Sequence, residues 1–384
     1  MNIQSSEYVL LLGAGFTKNF GAPLASEMWD LIAGHEIIQT QPRIKKLMQY
    51  DDSDHSYESI YYTVLEEGFE DKNGLFGEID KNVRFTNEEQ KAIEEAINFA
   101  YEHIDETLIK YIEEQGHKSV LINISHFISS FLRGEIFMTS DGYILTTSDG
   151  YIFMTAPDNN KKAFIFSLNQ DLFFERAFSK YDNIKLYRPG IKSEPNWVRN
   201  GINEKLADSD LCELPNENEL NDEGILPKGS RLIIKLHGSY DWIRFDGSRR
   251  AMVIGRDKET QIQKEPLLSC YFDIFKETLS QGQRRLLIVG YGFGDPHINR
   301  VLSKAVTCHG LKIYILSPKS PKEFKEELFE RLKKSEDTIN IYNGILGYFQ
   351  VEDILLKEVD GNKVRTEFDN IFFLDILEDN NWKC

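Results

Sequence analysis

Cysteine is scarce in this chain, and its four cysteines are far apart. They are Cys212, Cys270, Cys308 and Cys384, and no two of them lie within four residues of each other. This spacing excludes a zinc ribbon built from paired C-x-x-C ligands. It also provides no disulfide framework, so we expect mostly buried free thiols and a cytoplasmic location.

Long apolar runs and an excess of positive charge are also missing. No stretch approaches the roughly 18 consecutive apolar residues that a membrane span needs. The opening segment MNIQSSEYVLLLGAG has no positively charged leader, so we expect no cleaved signal peptide. The net charge of −17 argues against direct binding to a nucleic-acid backbone, which requires clustered Lys and Arg. We therefore expect neither a membrane nor a nucleic acid as a partner.

Five short apolar runs are present instead, and each ends in a cluster of Gly, Asn, Asp or His. They span residues 8–17, 164–171, 232–239, 286–295 and 312–319. Their length and β-branched content are typical of buried parallel strands. In open α/β sheets, ligands bind beyond the carboxyl ends of such strands. The sequence therefore predicts an α/β fold with a Rossmann-like parallel sheet and one nucleotide site at its carboxyl edge.

Other segments predict additions to this sheet. Residues 88–115 repeat apolar positions as an amphipathic helix does, and residues 121–132 suggest a second helix. The repeat TSDGYI, at 139–144 and 147–152, favours a tight hairpin. We predict a catalytic domain over 1–320, with a helical insertion at 41–135, a β-hairpin insertion at 136–160 and a surface loop at 195–228. The C-terminal extension, 321–384, has a helix at 322–335 and strand-like segments at 339–342 and 370–374, and packs on the core or a neighbouring subunit.

The first motif, GAGFT, follows the first strand and comprises Gly13, Ala14, Gly15 and Thr17 among its residues. Glycines at such a turn let the backbone approach a pyrophosphate, which the following helix N-terminus favours. The third glycine of G-x-G-x-x-G is missing, so a purely structural turn is the alternative.

Two further motifs place polar side chains after strands. In SLNQD, Asn169 can hold a ribose hydroxyl or orient a water, whereas Asn169 or Asp171 capping the next helix is the alternative. In KLHGS, His237 directly follows a buried strand, and histidine can act as a general base near neutral pH. A structural role is the alternative for His237, which is our choice among the eight histidines.

The last motif, GYGFGDPHIN, is a second glycine-rich turn. Gly290 and Gly292 allow close approach of the backbone, and Asp295 precedes Pro296 at the expected start of a helix. Asp295 would accept from ribose hydroxyls or cap that helix. His297 is expected on the helix, without direct contact with substrate.

The ordered set of these motifs resembles the sirtuin family, and most closely its bacterial sirtuin-like NAD hydrolases of antiphage defence. The matching segments are GAGFTKNFGAP, FSLNQD, LHGS and GYGFGDPHIN, in this order. The resemblance implies that Gly13, Ala14, Gly15 and Thr17 contact the NAD diphosphate and ribose. It also implies that Asn169 and His237 carry the chemistry with support from Asp171. Gly290, Gly292 and Asp295 would border the adenosine, and Ser317 the adenine ribose.

Two departures from deacetylating sirtuins bear on the activity. Those enzymes carry two cysteine pairs for a structural zinc, whereas residues 240–285 here contain only Cys270. They also carry an Asp-Phe-Arg segment after the first motif, where this chain has Leu24-Ala-Ser-Glu-Met-Trp29. We therefore expect no zinc, and an enzyme that admits water instead of an acyl-lysine peptide.

The resulting prediction is an NAD glycohydrolase that releases nicotinamide and ADP-ribose as a gated defence effector. A non-catalytic NAD or ADP-ribose sensor, and a protein deacylase or ADP-ribosyltransferase, are the alternatives. The resemblance further implies a homo-oligomer, or a partner such as a HerA-type ATPase or a short Argonaute.

Overall fold

A computed structural model describes most of the α/β part of the chain. The described residues are 7–18, 20–50, 56–79, 81–115, 163–179, 186–191, 205–220, 226, 231–248, 250–332, 335–350, 356–359 and 362–365. The predicted hairpin at 136–160, the helix at 121–132 and the segment 370–374 lie outside these residues.

The strands form one large sheet and three small ones. In chain order the strands are β1 (Tyr8–Leu12), β2 (Phe69–Glu70), β3 (Asn82–Val83), β4 (Ala163–Ser167), β5 (Leu186–Tyr187), β6 (Cys212–Glu213), β7 (Arg231–Lys235), β8 (Gly238–Ile243), β9 (Arg250–Met252), β10 (Arg285–Val289), β11 (Lys312–Ser317), β12 (Ile345–Gln350), β13 (Leu356–Val359) and β14 (Asn362–Arg365). The large sheet has seven strands in the order β12-β11-β10-β1-β4-β7-β5.

All pairings in the large sheet are parallel. β1 lies between β10 and β4, with Tyr8 opposite Arg285 and Leu12 opposite Val289. β4 pairs with β7 from Ala163 opposite Arg231 onward. The carboxyl ends of all these strands therefore meet at one edge, and the predicted α/β, Rossmann-like sheet is confirmed.

Helices cover both faces of the sheet. They are α1 (Ala14–Lys18), α2 (Ala25–Gly34), α3 (Glu36–Gln39), α4 (Pro42–Gln49), α5 (Tyr57–Tyr62), α6 (Asn87–Gln115), α7 (Phe173–Ser179), α8 (Glu217–Leu220), α9 (Lys258–Lys264), α10 (Pro266–Ser280), α11 (Pro296–His309), α12 (Pro321–Arg331) and α13 (Glu336–Gly344). A π-helical turn, Thr63–Glu67, continues α5, and a 3₁₀ turn covers Asp208–Asp210.

The core is divided between the two faces because successive strand residues point in opposite directions. Leu10 and Leu12 of β1 join the apolar cluster that includes buried residues of α2 and α6. Val9 and Leu11 join the cluster on the other face, which includes buried residues of α10 and α11. Thus α6, the amphipathic helix predicted from its periodicity, packs as one layer of the domain.

Two sequence predictions are corrected in the described residues. The segment 339–342, expected to be strand-like, lies within α13, where Ile341 and Tyr342 are buried on one side of a helix. Its apolar spacing fits a helix of which only one side is covered. The expected surface loop at 195–228 contains β6, which pairs with β8, and Cys212 and Leu214 there are buried.

The region after residue 320 contributes directly to the large sheet. β12 pairs in parallel with β11 and forms one edge of the sheet, and α12 and α13 connect the two strands. None of the helices in the described ranges combines the length and the apolar character that a membrane span requires.

Candidate active site

Asn169 follows the end of β4 and lies beside the segment that follows β1, which contains the glycine turn. Its side chain is 8% exposed, and its Nδ2 donates to Thr17 Oγ1 over 3.4 Å. Its Oδ1 is buried and has no hydrogen-bond donor among the described residues. A buried acceptor without a donor is unfavourable by about 1–3 kcal/mol. The geometry therefore leaves one strong acceptor for a hydroxyl or amide of a bound molecule.

Asp171 follows Asn169 at the start of α7. Its Oδ1 accepts from the Phe173 backbone N–H over 3.0 Å, which is the capping role that the sequence offered as the alternative. Burial raises the pKa of the Asp171 carboxyl, and the nearby Lys235 ammonium opposes this shift. Lys235 also donates to the Asp171 carbonyl and forms a 3.0 Å ion pair with Glu175. Asp171 thus fixes the strand end on which Asn169 stands.

The two glycine turns pack directly against each other. A Cβ on Gly13 would lie 2.6 Å from the Tyr291 Cα, and one on Gly290 would lie 2.1 Å from the Phe16 backbone nitrogen. The N–H groups of Gly13 and Gly15 donate to the carbonyls of Val289 and Gly290, over 2.9 and 2.8 Å. Backbone packing alone therefore requires glycine at these positions.

His237 occupies the turn between β7 and β8 and is 4% exposed. Its Nε2 lies 3.0 Å from Nε2 of His297, which stands at the start of α11 and is equally buried. Burial lowers the pKa of His237 to about 3 and that of His297 to about 4. Both imidazoles are therefore neutral at neutral pH and can accept a proton, but each is a weaker base than a free imidazole.

Asp295 stands one residue before α11, as predicted, but its side chain makes no capping hydrogen bond. Its Oδ1 lies 3.0 Å from the Lys258 ammonium, which lies 3.1 Å from Glu58. Burial raises the pKa of Asp295, but its interactions with the neighbouring His237 and Lys258 side chains outweigh burial and lower it to about 2. The resemblance assigned Asp295 to the adenosine side, yet its carboxylate lies within 4.8 Å of the nearest ring nitrogen of His237.

A cleft of about 500 Å³ opens beside the histidine pair. Its walls include Asp295, which precedes α11, together with His297 of α11, Lys258 of α9 and Glu58 of α5. His237 is not among the lining residues. His297 therefore stands between the buried His237 and the space that solvent reaches.

Gln170 links His237 to the helical layer. Its Nε2 donates to the carbonyls of His237 (3.2 Å) and Val253 (2.8 Å), and its Oε1 accepts from the Tyr101 hydroxyl of α6. The Gln170 carbonyl accepts from the Tyr240 N–H over 2.8 Å. The turn that carries His237 is thus held by a side chain adjacent to Asn169.

The remaining predicted residues lie along the same edge of the sheet. Ser317 ends β11, and its Oγ accepts from the Lys319 N–H over 3.2 Å. The Gly292 carbonyl accepts from Arg331 over 3.2 Å. Ala14 is exposed at the start of α1, whereas Thr17 is buried. All of these residues follow strands that end at the edge where Asn169 and His237 lie.

A parallel α/β sheet with buried polar side chains at its carboxyl edge is the Rossmann-like class of fold, in which ligands bind at that edge. Within this class, the model of the SIR2-like domain family matches residues 163–338. The match runs from β4 to the first turn of α13 and includes Asn169, His237 and Asp295. It supports a sirtuin-like family and an NAD-related activity. No curated protein matches the chain.

Sequence reasoning did not identify three contributors to this edge. His297 was placed on its helix but not beside His237, and neither Lys258 nor Gln170 was singled out. His297 could have been found from the sequence Asp-Pro-His at 295–297, because it places a carboxylate and an imidazole together at the start of a helix. Lys258 and Gln170 have no motif of their own.

Proposed function

We propose that the chain is an NAD hydrolase that cleaves the bond between nicotinamide and ribose. One observation carries this proposal: the buried Oδ1 of Asn169, which has no donor, and the neutral His237 follow two neighbouring strands. Asn169 comes after β4 and His237 after β7. A hydroxyl-rich ligand satisfies such an acceptor, and a neutral imidazole provides a base. The SIR2-like match supports NAD as that ligand.

In this proposal, Asn169 binds a hydroxyl of the nicotinamide ribose and orients the attacking water. The N–H groups of Gly13 and Gly15 are bonded to the facing turn, so Ala14 is the residue of the first motif best placed to meet the diphosphate. Gly290, Gly292 and Asp295 would border the adenosine, and Ser317 the adenine ribose, as the resemblance implies.

The chemistry follows from the charge of the substrate. Departure of neutral nicotinamide leaves an oxocarbenium-like ribose, which fixed dipoles and the diphosphate stabilise. Water adds to the anomeric carbon and loses a proton, first to His237 and then to solvent. The products are nicotinamide, ADP-ribose and one proton. His297 must release Nε2 of His237, or exchange its proton with it, for this step to occur.

That requirement favours one second candidate, a non-catalytic NAD or ADP-ribose sensor. In the structure, the Nε2 atom that would accept the proton faces His297 at 3.0 Å. A sensor needs no base beside the ribose, so it could function with the His237 Nε2 atom hydrogen-bonded to His297. The deacylase and transferase alternatives have no comparable support in the described residues.

Regulation is the less direct part of the proposal. A constitutive NAD hydrolase would deplete its own cell, so we propose a gated defence effector. By resemblance, it acts as a homo-oligomer or with a HerA-type ATPase or short Argonaute partner. Size-exclusion chromatography tests assembly, and full activity of a strict monomer would contradict gating by assembly.

The deciding experiment incubates the purified protein with NAD and follows nicotinamide and ADP-ribose by chromatography. We expect His237→Ala to lower the rate by about 10²–10⁴-fold, the usual effect of losing a proton-transfer group. His103→Ala, which alters an exposed histidine of α6, is the matched control and should retain activity. Full activity of His237→Ala would overturn the assignment, whereas calorimetric NAD binding without turnover would favour the sensor.

A further inference from the structure

Three side chains that bind metal ions in proteins converge beside the cleft. His237 comes from the β7–β8 turn, and Asp295 and His297 come from the start of α11. Each offers one donor atom, and all three donor atoms lie within 4.8 Å of one another. Nothing in the proposed hydrolysis uses Asp295 and His297 together.

The spacing of the two imidazoles fits a shared ion. Zinc binds imidazole nitrogen at about 2.0–2.1 Å, so two such nitrogens at a tetrahedral angle lie about 3.3 Å apart. The two Nε2 atoms are 3.0 Å apart. If the two nitrogens move apart by a few tenths of an ångström and the rings turn so that both lone pairs point to one position, an ion can bind there. The carboxylate of Asp295 has farther to move.

The surroundings of the three groups also suit a metal. The ring of His237 is held by a hydrogen bond with the Leu168 backbone, as histidine ligands are commonly held by a second partner. Asp295 and His297 line the cleft, which gives an ion a route in and leaves a coordination position for water. Two histidines with one carboxylate are a known ligand set for divalent transition metals.

Lys258 is the group that competes with such an ion. Its ammonium lies 3.0 Å from Asp295 Oδ1 and 3.1 Å from a Glu58 carboxylate oxygen. If a cation replaced it at Asp295, Lys258 would keep Glu58 as its partner. The affinity of this site should therefore rise when the Lys258 charge is removed.

We propose that His237, Asp295 and His297 form a binding site for a divalent transition metal of the Zn²⁺ type, open to the cleft and in competition with Lys258. Occupation takes the lone pair of His237 Nε2. Metal binding and action of His237 as a base consequently exclude each other.

The test uses Co²⁺ as a spectroscopic probe for Zn²⁺. The full-length protein is titrated with Co²⁺, and visible absorption and calorimetry are recorded for the wild type, His297→Gln, Asp295→Asn and Lys258→Gln. His103→Gln is the control for a histidine outside the cluster. Circular dichroism and thermal melting show which variants fold.

We expect one saturable Co²⁺ site in the wild type and in His103→Gln, displaced by Zn²⁺. Affinity should fall at least 10-fold in His297→Gln and Asp295→Asn, and rise in Lys258→Gln. The last variant keeps all three ligands, so it remains informative if either ligand variant fails to fold.

Three results would overturn the metal site: no saturable binding, equal affinity in every variant, or a thiolate-to-cobalt charge-transfer band that assigns the ion to the cysteines. Binding is measured without NAD, and nicotinamide release is measured with a chelator present. The metal site and the hydrolase can therefore fail separately.

Discussion

The carboxyl edge of the sheet has two halves that are built differently. After β1 and β10, two glycine turns meet backbone to backbone, and a Cβ at Gly13 or Gly290 would collide with the facing backbone. After β4 and β7, the same edge carries the buried polar residues Asn169 and His237. The Asn169 side chain donates to Thr17, and the His237 backbone carbonyl accepts from Gln170. Each half of the edge produced two of the motifs described in the sequence analysis.

The difference shows that a motif at a strand end has two distinct physical origins. In the glycine half, the residue type is required by packing whether or not a ligand binds. In the polar half, packing does not require an amide or an imidazole, and leaving Asn169 Oδ1 unpaired is unfavourable. The polar half therefore carries the stronger argument for function. Two substitutions and one change of pH test this difference between the halves.

Gly290→Ala should have the largest effect, because it breaks the glycine half. Gly290 has φ +68°, and its Cβ would lie 2.1 Å from the Phe16 backbone nitrogen. We expect the free energy of unfolding to fall by about 4 kcal/mol or more, the range of severe core substitutions. Urea denaturation followed by circular dichroism measures this loss.

Gly294→Ala is the matched control in the same loop. Gly294 is exposed, and a Cβ there would have no neighbour within 4 Å. Its free energy of unfolding should change by less than about 0.5 kcal/mol. Equal stability of the two variants would show that the turns do not pack as described.

Mild acid should have the second largest effect on stability, and this effect should arise from the two histidines beside the polar half. The pKa values of His237 and His297, about 3 and about 4, lie below the ordinary value of 6.5. Below pH 6.5 the unfolded chain therefore binds protons that the folded chain does not, and stability falls as the pH falls. We expect a loss of about 2–3 kcal/mol for the pair at pH 5.5 relative to pH 7.5.

Urea titrations at both pH values check this, with His297→Gln as the comparison. The variant has lost one of the two histidines and should lose about half of this pH dependence. Asp295 has a pKa lowered to about 2, so its contribution is lost only at pH values below its ordinary 3.8 and does not interfere. An unchanged pH dependence in the variant would contradict the neutral, buried pair.

Gln170→Ala should have the smallest effect on stability and the most selective one on function. It removes two donated hydrogen bonds and leaves the Tyr101 hydroxyl without its Gln170 partner, so we expect a loss of about 1–2 kcal/mol. On the proposed function, NAD cleavage should fall as well, because the His237 turn loses its support.

Gln261→Ala separates these two effects. Gln261 is as buried as Gln170 and likewise donates to two carbonyls, those of Ile254 and Arg256. The two variants should lose similar stability, measured by urea denaturation, but only Gln170→Ala should lose nicotinamide release. Equal activities would show that Gln170 supports the fold and not the chemistry of His237.

The main features of the fold could be predicted from the sequence because they depend on local patterns. The five apolar runs became neighbouring strands of one sheet, and the periodicity of 88–115 became α6, Asn87–Gln115. The strand predicted at 339–342 was wrong because a short apolar run does not distinguish a strand from a half-buried helix. β6 was missed because two residues carry no readable pattern.

The candidate site could be predicted only one strand end at a time. Asn169, His237 and Asp295 each followed from a motif, but their mutual arrangement depends on the order of strands in the sheet. The contact between His237 and His297 joins residues 60 positions apart, and the bond from Gln170 to Val253 joins residues 83 positions apart. No local pattern encodes either contact. Their roles in binding or cleaving NAD remain predictions.

The central place of β1 has a consequence for synthesis of the chain. Tyr8 pairs with Arg285, and the two positions are 277 residues apart. At about 5–20 residues per second, a ribosome needs about 14–55 s to make the residues between them. During that time one edge of β1 has no partner, and an unpaired apolar strand edge invites pairing with other chains. The yield of native protein should therefore depend on translation speed and on chaperones that hold the emerging N-terminal part.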